Sequence, residues 1–321
     1  MTTFTRRTFI GSAGLLAGLG ASASSRFPDR PITVVVPSVA GGSPDTVARL
    51  FSRQVQTTIG QPLVVENVSG ASGVIGIQRV LRAPNDGHCL LYGYNQLVTI
   101  NPFLLKNLPY DPVRDLAPVS LTADLGYIWI ANPSFGPGSV AEWIEHMKRN
   151  PGKVNFGTQG TGSAAHLGGE LLMQQSGTRM TAVPYKGSST PDLLAGVIDV
   201  KMEPYTTAIP LVQSGKVKAL AATGAQRVAL LPNLPTLAES FPGHVIRGWH
   251  AIWLRAGSPA SAVDTLQREF AAAAGTPAVR DRLRDIGLSA VSSTPEELRQ
   301  LIASESRMWS QLIKERGIEV S

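Results

Sequence analysis

The chain has 321 residues, a formal net charge of +6, five histidines and a single cysteine. No run of Lys and Arg is interleaved with aromatics, which argues against a nucleic-acid partner, and a mild positive balance suits the collection of acidic solutes. Cys89 alone excludes an internal disulfide and reads as a small buried hydrophobe in a strand; the scattered histidines offer no ligand pairs, so no metal or cofactor is expected.

The first residues set Arg6-Arg7 before an apolar stretch from Phe9 to Gly20 that ends in Ala21-Ser22-Ala23. A basic region, a short apolar region and an A-x-A site predict a secretory signal over 1–23, and the paired arginines resemble a twin-arginine signal. Spanning a bilayer takes roughly 20 apolar residues, more than this segment supplies. Its removal takes away two arginines and no acid, lowering the charge from +6 to +4. The mature protein is expected in the periplasm, with no stable membrane insertion.

Val34-Val35-Val36 then reads as a buried strand, Pro37 to Asp45 as a Pro/Gly/Ser turn, and 46–58 as a helix through Val47, Leu50, Phe51 and Val55. Such a turn aims the free N–H groups of the helix start, with the dipole behind them, at whatever sits above the strand. This is an anion cradle. Pro44 has no N–H, so the expected donors are the amides of Gly41, Gly42, Ser43 and Asp45 and the hydroxyls of Ser38 and Ser43. The Asp45 side chain reads as a cap that orients the loop; towards a ligand bearing an amine or hydroxyl, Asp45 or Glu203 would bind directly. Strands at 62–66 and 89–94 around a helix at 74–82 continue the alternation. Ligands sit at the carboxyl ends of such strands, which brings Tyr94, Asn95, Gln96 and Thr99 close to the cradle.

After an irregular stretch over 101–118, strands are predicted at 119–122 and 127–132, and Ser139 with Glu142 fits a capping box opening a helix to Arg149. Strand 154–156 leads into a second glycine turn, Gly157 to Ser163, and another helix from Ala164. Thr158, Gly160, Thr161, Gly162 and Ser163 form this second cradle; His166, at the helix start, is either structural or a neutral donor to the ligand. Lys186, Gly187 and Ser188 follow strand 181–184, and Glu203 ends strand 200–203. A helix at 209–214 and strands at 219–223 and 250–254 come next, then helices over 259–274 and from Pro277, and a last one from the Thr294/Glu297 capping box to Gly317. Two cradles imply a ligand held between two α/β lobes, each a mainly parallel sheet flanked by helices: 27–122 with 250–321 as lobe 1, and 123–249 as lobe 2. Trp249, before the return crossing, either packs between lobes or lines the cleft.

A family resemblance runs through Phe27 to Ile32, Val36-Pro37, Gly41-Gly42, Asp45 to Arg49, Gly60-Gln61-Pro62, Val65-Glu66-Asn67, Asn101-Pro102, Leu108 to Pro112, Asn150 to Lys153, Val183 to Gly187 and Leu231-Pro232. Across nearly the whole mature chain the sequence resembles the Bug-type solute receptors of tripartite tricarboxylate transporters. The resemblance implies a two-lobed, type II-like periplasmic binding protein that closes on its ligand as a Venus flytrap. It implies no enzyme; the expected partners are a small carboxylate, held by the two glycine loops, and the subunits of a membrane transporter. It places the loops at 37–45 and 157–166, with further cleft positions at 185–188 and near Glu203. Ser38, Ala40, Ser43 and Pro44 depart from the family's first loop, and Pro204 follows Glu203 where the family has asparagine.

The rival reading is an exported nicotinamide-dinucleotide oxidoreductase, since Gly160-Thr161-Gly162-Ser163-Ala164-Ala165 satisfies G-x-G-x-x-A between strand and helix. Against it, Met180 to Tyr185 lacks the acidic residue expected about 20 positions on. No G-x-S-x-G elbow marks a hydrolase.

Overall fold

A computed structural model describes residues 27–185 and 187–319; the signal predicted over 1–23 and the candidate Lys186 lie outside the described residues. The β-branched run forms β1 (Ile32–Val36), with every residue buried except Thr33. It is followed by α1 (Ser43–Ile59), β2 (Leu63–Asn67), α2 (Val74–Leu81) and β3 (Cys89–Tyr94). A short helix, α3 (Gln96–Thr99), precedes the proline-rich stretch, and that stretch, expected to be irregular, holds two more, α4 (Asn101–Leu104) and α5 (Pro112–Asp115), because Pro102 and Pro112 sit in first turns, where a missing N–H costs nothing.

The strands expected at 119–122 and 127–132 are one strand of 16 residues, β4 (Leu116–Ala131). The gap left between the two expected strands stays extended because both sides are paired: Leu116 to Gly126 against β9 (Arg247–Arg255), and Tyr127 to Ala131 against β7 (Val200–Pro204) and β8 (Lys218–Ala222). Any side chain at Gly126 would collide with the Tyr205 ring.

Between β4 and β9 the chain builds α6 (Val140–Arg149), β5 (Asn155–Thr158), α7 (Ala164–Ser176), β6 (Thr181–Pro184), α8 (Thr190–Ala195), β7, α9 (Tyr205–Gln213), β8 and α10 (Leu237–Ser240). Ser139 accepts from Glu142 N–H at 3.2 Å as expected, but Glu142 reaches back to Gly138 N–H, at 2.8 Å, instead of to Ser139. After β9 come α11 (Ala260–Gly275), α12 (Pro277–Asp285), β10 (Ser289–Ala290) and α13 (Pro295–Arg316). The Thr294/Glu297 capping box forms, and α13 ends at Gly317 in the left-handed conformation.

Strand order is β2-β1-β3-β9-β4-β7-β5-β6, with β8 and β10 also on β4. The outer pairs β1–β2, β1–β3, β5–β6 and β5–β7 are parallel, whereas the two crossing strands, β4 and β9, run antiparallel to their neighbours. Pairing passes from one lobe to the other at Gly126/Tyr127 and returns at Arg247. Residues 250–321, expected in lobe 1, divide. Phe270 of α11 stacks on Phe51 in the lobe 1 core, and Leu298 and Ile302 of α13 join Trp249 and Trp253 there. Further along α13, Trp309, Leu312 and Ile313 pack with Trp129, Trp143 and Phe156 in the lobe 2 core. Thus three elements cross between the lobes. Trp309→Ala should cost about 3–5 kcal/mol in denaturant unfolding and speed amide exchange over 309–316 more than over 295–302; equal loosening of both halves would contradict this anchoring.

Candidate functional site

The glycine turn after β1 is held from below. Asp45 is buried, and its Oδ2 accepts from Gly41 N–H at 2.8 Å while Oδ1 accepts from Arg49 Nε at 2.9 Å. Arg49 Nη2 also donates to Asn67 Oδ1, at 2.9 Å, and Asn67 Nδ2 donates to Ser38 O at 3.3 Å. Asp45 therefore orients the loop as expected, though from the first turn of α1 and not from its N-cap, which is Gly42. Two expected amide donors are already used, Gly41 by Asp45 and Gly42 by Val39 O at 3.4 Å, and the Ser38 hydroxyl also reaches Val39 O at 3.4 Å. Because the first helical bond runs from Thr46 N–H to Gly42 O, the Ser43 and Asp45 amides remain beyond the ladder at the mouth of α1. Sequence reasoning missed Arg49 and Asn67: the i,i+4 spacing of Asp45 and Arg49 was a signal, whereas Asn67 arrives from β2 with none.

In the second turn the side chains bind the loop itself. Thr158 Oγ1 accepts from Gly160 N–H at 3.2 Å; Ser163 Oγ donates to Gly160 O at 2.8 Å and caps α7 through His166 N–H at 3.3 Å. Gly162, at φ +79°, donates its N–H to His166 Nδ1 at 3.3 Å. An accepting Nδ1 fixes His166 as the Nε2–H tautomer, with Nε2 3.8 Å from Glu170 Oε1. Burial lowers the His166 pKa against the pull of Glu170, which keeps the ring neutral. His166 thus braces the second turn through Nδ1, while its Nε2–H remains a donor. Any side chain at Gly162 would also strike Leu104 of α4, so this glycine lets the lobes touch.

These turns meet at a cavity of about 320 Å³. Ser38 and Pro44 line it from the first turn, Ala164 from the start of α7, Tyr94, Asn95 and Gln96 from the end of β3, and Leu125, Tyr127, Gly248, Trp249 and His250 from the crossing strands. Two helix N-termini, one from each lobe, open on it, and among the described residues no Lys or Arg is in its wall. His250 is neutral too, since burial pushes its pKa down to about 4. Gly41, Gly42, Ser43, Thr161 and Gly162 stand in the two loops around it; Trp249 lines it.

Glu203, Gly187 and Ser188 are not in that wall. Glu203 is buried at 2.6 Å from Nζ of Lys201, which also donates to Thr190 Oγ1 at 3.0 Å. The Lys201 ammonium thus balances the buried Glu203 carboxylate. Ser188 Oγ accepts from Thr190 N–H at 3.3 Å, and Gly187 is exposed. Lys201 was missed because a lysine two residues before a glutamate on a strand reads as solvated, and only tertiary packing buries it.

Burial pushes the Asp45 carboxyl up, but hydrogen bonds from Arg49 and the Gly41 amide outweigh it and hold the pKa below its ordinary value. With the folded value below the unfolded one, near 3.9, the stabilisation is present above that pH and fades as pH falls through the folded value. Asp45→Asn should cost about 1–3 kcal/mol at neutral pH, and the gap in unfolding free energy should narrow below about pH 4; a constant gap would contradict the charged role.

Residues 47–318 match the family described as "Tripartite tricarboxylate transporter family receptor". Protein BugT of Bordetella pertussis is 33% identical over 97% of this chain and 96% of its own. Among solved structures, R. palustris Rpa4515 with adipate is 31% identical with a TM-score of 0.77, covering 92% of this chain and 100% of that one. MatC from Rhodopseudomonas palustris with bound malate is 31% identical with a TM-score of 0.73, covering 89% and 100%. With the family match running from the first helix, α1, through the second glycine turn to the end of α13, the chain belongs to the receptors of the tripartite tricarboxylate transporter family.

Proposed function

We propose that this protein is a periplasmic receptor that captures a small carboxylate between its lobes and presents the closed form to the membrane subunits of its transporter. The observation that carries this reading is the convergence of the α1 and α7 N-termini on one cavity whose wall, among the described residues, holds no charged side chain. An anion there draws on oriented amides and two dipole ends. The Ser43, Asp45, Ala164 and Ala165 amides, the Ser38, Ser43 and Thr161 hydroxyls and the Asn95 amide group are the donors we assign. Similarity to proteins seen with adipate and with malate supports a dicarboxylate. At about 320 Å³ the cavity sits at the small end of the ligand range.

Export by the twin-arginine route belongs to this proposal, resting on Arg6-Arg7. Among the described residues no helix is long and apolar enough to cross a membrane. A dinucleotide enzyme gains no support: in the G-x-G-x-x-A segment the Gly162 N–H is bound to His166, and β6 ends in Pro184 with no acid.

Thermal unfolding against a panel of carboxylic acids, with NAD in the same series, tests the function. A true ligand at about 100 times its Kd should add roughly 2.7 kcal/mol, and a shift with NAD alone would overturn the assignment. Ala164→Glu puts a carboxylate at the α7 N-terminus, which stabilises a helix start by about 0.3–1 kcal/mol while occupying the anion's place. Ligand binding should vanish with no loss of melting temperature; retained affinity would move the ligand elsewhere.

A further inference from the structure

The crossing strands have two faces. Leu125, Tyr127, Gly248 and His250 line the ligand cavity in front, whereas Asp124, Gly126 and Arg247 line a larger cavity, about 900 Å³, behind. Glu305 enters that rear cavity from the middle of α13, between the half seated on lobe 1 and the half seated on lobe 2. Each of the three elements that join the lobes therefore contributes a charged residue to one cluster: Asp124 from β4, Arg247 from β9 and Glu305 from α13. Arg247 Nη1 binds Asp124 Oδ2 at 2.7 Å. Glu305 Oε1 accepts from Trp249 Nε1–H at 2.9 Å, and its Oε2 is buried with no hydrogen-bond partner among the described residues.

The cluster touches the ligand cavity through two shared residues. Trp249 and Asn95 both line the front cavity; Asn95 N–H donates to Trp249 O at 3.1 Å, and Asn95 Nδ2 donates to Arg247 O at 3.3 Å. Fully ionised, the cluster carries two acids against one arginine. Arg227 and Arg284 also border the rear cavity but are paired with Glu239, at 2.7 Å, and with Asp281, at 2.9 Å.

We infer that Glu305 is a positioning residue that takes up a proton when an anion enters the front cavity, so that carboxylate capture and proton uptake are linked. The inference rests on the carboxylate reading above. A second negative charge just behind Trp249 and Asn95 disfavours the anion, and neutralising it removes the repulsion while leaving Oε1 to hold the Trp249 indole. Linkage is reciprocal: whatever the proton does for the ligand, the ligand does for the proton. Burial, with the Asp124 charge adding to it, pushes the Glu305 carboxyl up to about 7, against the pull of Trp249, Arg247 and the nearby Asn95 amide group. Burial also raises Asp124, Tyr127 and Tyr205, lowers His166, and pushes His250 down to about 4, so the histidines and tyrosines facing this region keep one charge state near neutrality.

The test uses adipate and malate as probes, with calorimetric titration of the mature protein and of Glu305→Gln between about pH 6.5 and 8.5, where both probes are fully ionised. The intact protein should lose about tenfold in affinity across that range, whereas Glu305→Gln should hold its low-pH affinity throughout. Glu305→Ala, which also strips the acceptor from Trp249, should bind weakly at every pH. Without any variant, titration at about pH 7.5 in two buffers of different ionisation enthalpy should register proton uptake on binding. Equal pH slopes for the intact protein and Glu305→Gln, or binding with no proton uptake, would overturn this inference alone. Failure of both probes to bind either protein at any pH would remove the carboxylate reading and the inference with it.

Discussion

The backbone ladder between β4 and β9 is the constraint on which the rest of the molecule depends. A strand of 16 residues that pairs with one lobe along its first part and with the other along its last leaves no free linker between them. The lobes can change their angle only by twisting or bending this ribbon, and α13 must follow, since its two halves are seated in different cores. Ligand capture and hinge mechanics thus share the same few residues. Leu125 and Tyr127 face the ligand cavity, and their neighbours Asp124 and Gly126 face the cavity behind.

Both glycine turns are arranged before any ligand arrives. Asp45, Arg49 and Asn67 fix the first turn, and Thr158, Ser163 and His166 fix the second. Several amides that look like ligand donors in the sequence are engaged in this scaffolding. The loss of donors is offset by preorganisation: loops already ordered lose less freedom on binding, and the amides left over point where the helix dipoles point. The buried Lys201–Glu203 pair serves the same end beneath the 187–190 segment, its ammonium reaching Thr190 at the start of α8.

Much of the fold was legible because its signals are local. The run Ile32 to Val36, the capping box at Thr294 and the glycine turns before α1 and α7 each depend on residues within a few positions of one another. The two cradles could be read for the same reason, as strand–turn–helix units with N–H groups at their mouths. Side-chain roles were less legible. The brace that His166 Nδ1 gives the second turn and the ion pair that Lys201 gives Glu203 depend on contacts the spacing of residues does not announce.

By itself the sequence determined the alternation of strands and helices, the two glycine turns and the family, since propensity, capping and glycine placement act over short distances along the chain. Tertiary structure alone decided that β4 runs unbroken through both lobes, that α13 joins them, that Gly162 abuts Leu104, and that Asp124, Arg247 and Glu305 gather behind the ligand cavity. Those residues lie far apart in the chain, and their burial, pairing and charge state arise only when the folded lobes bring them into one low-dielectric space.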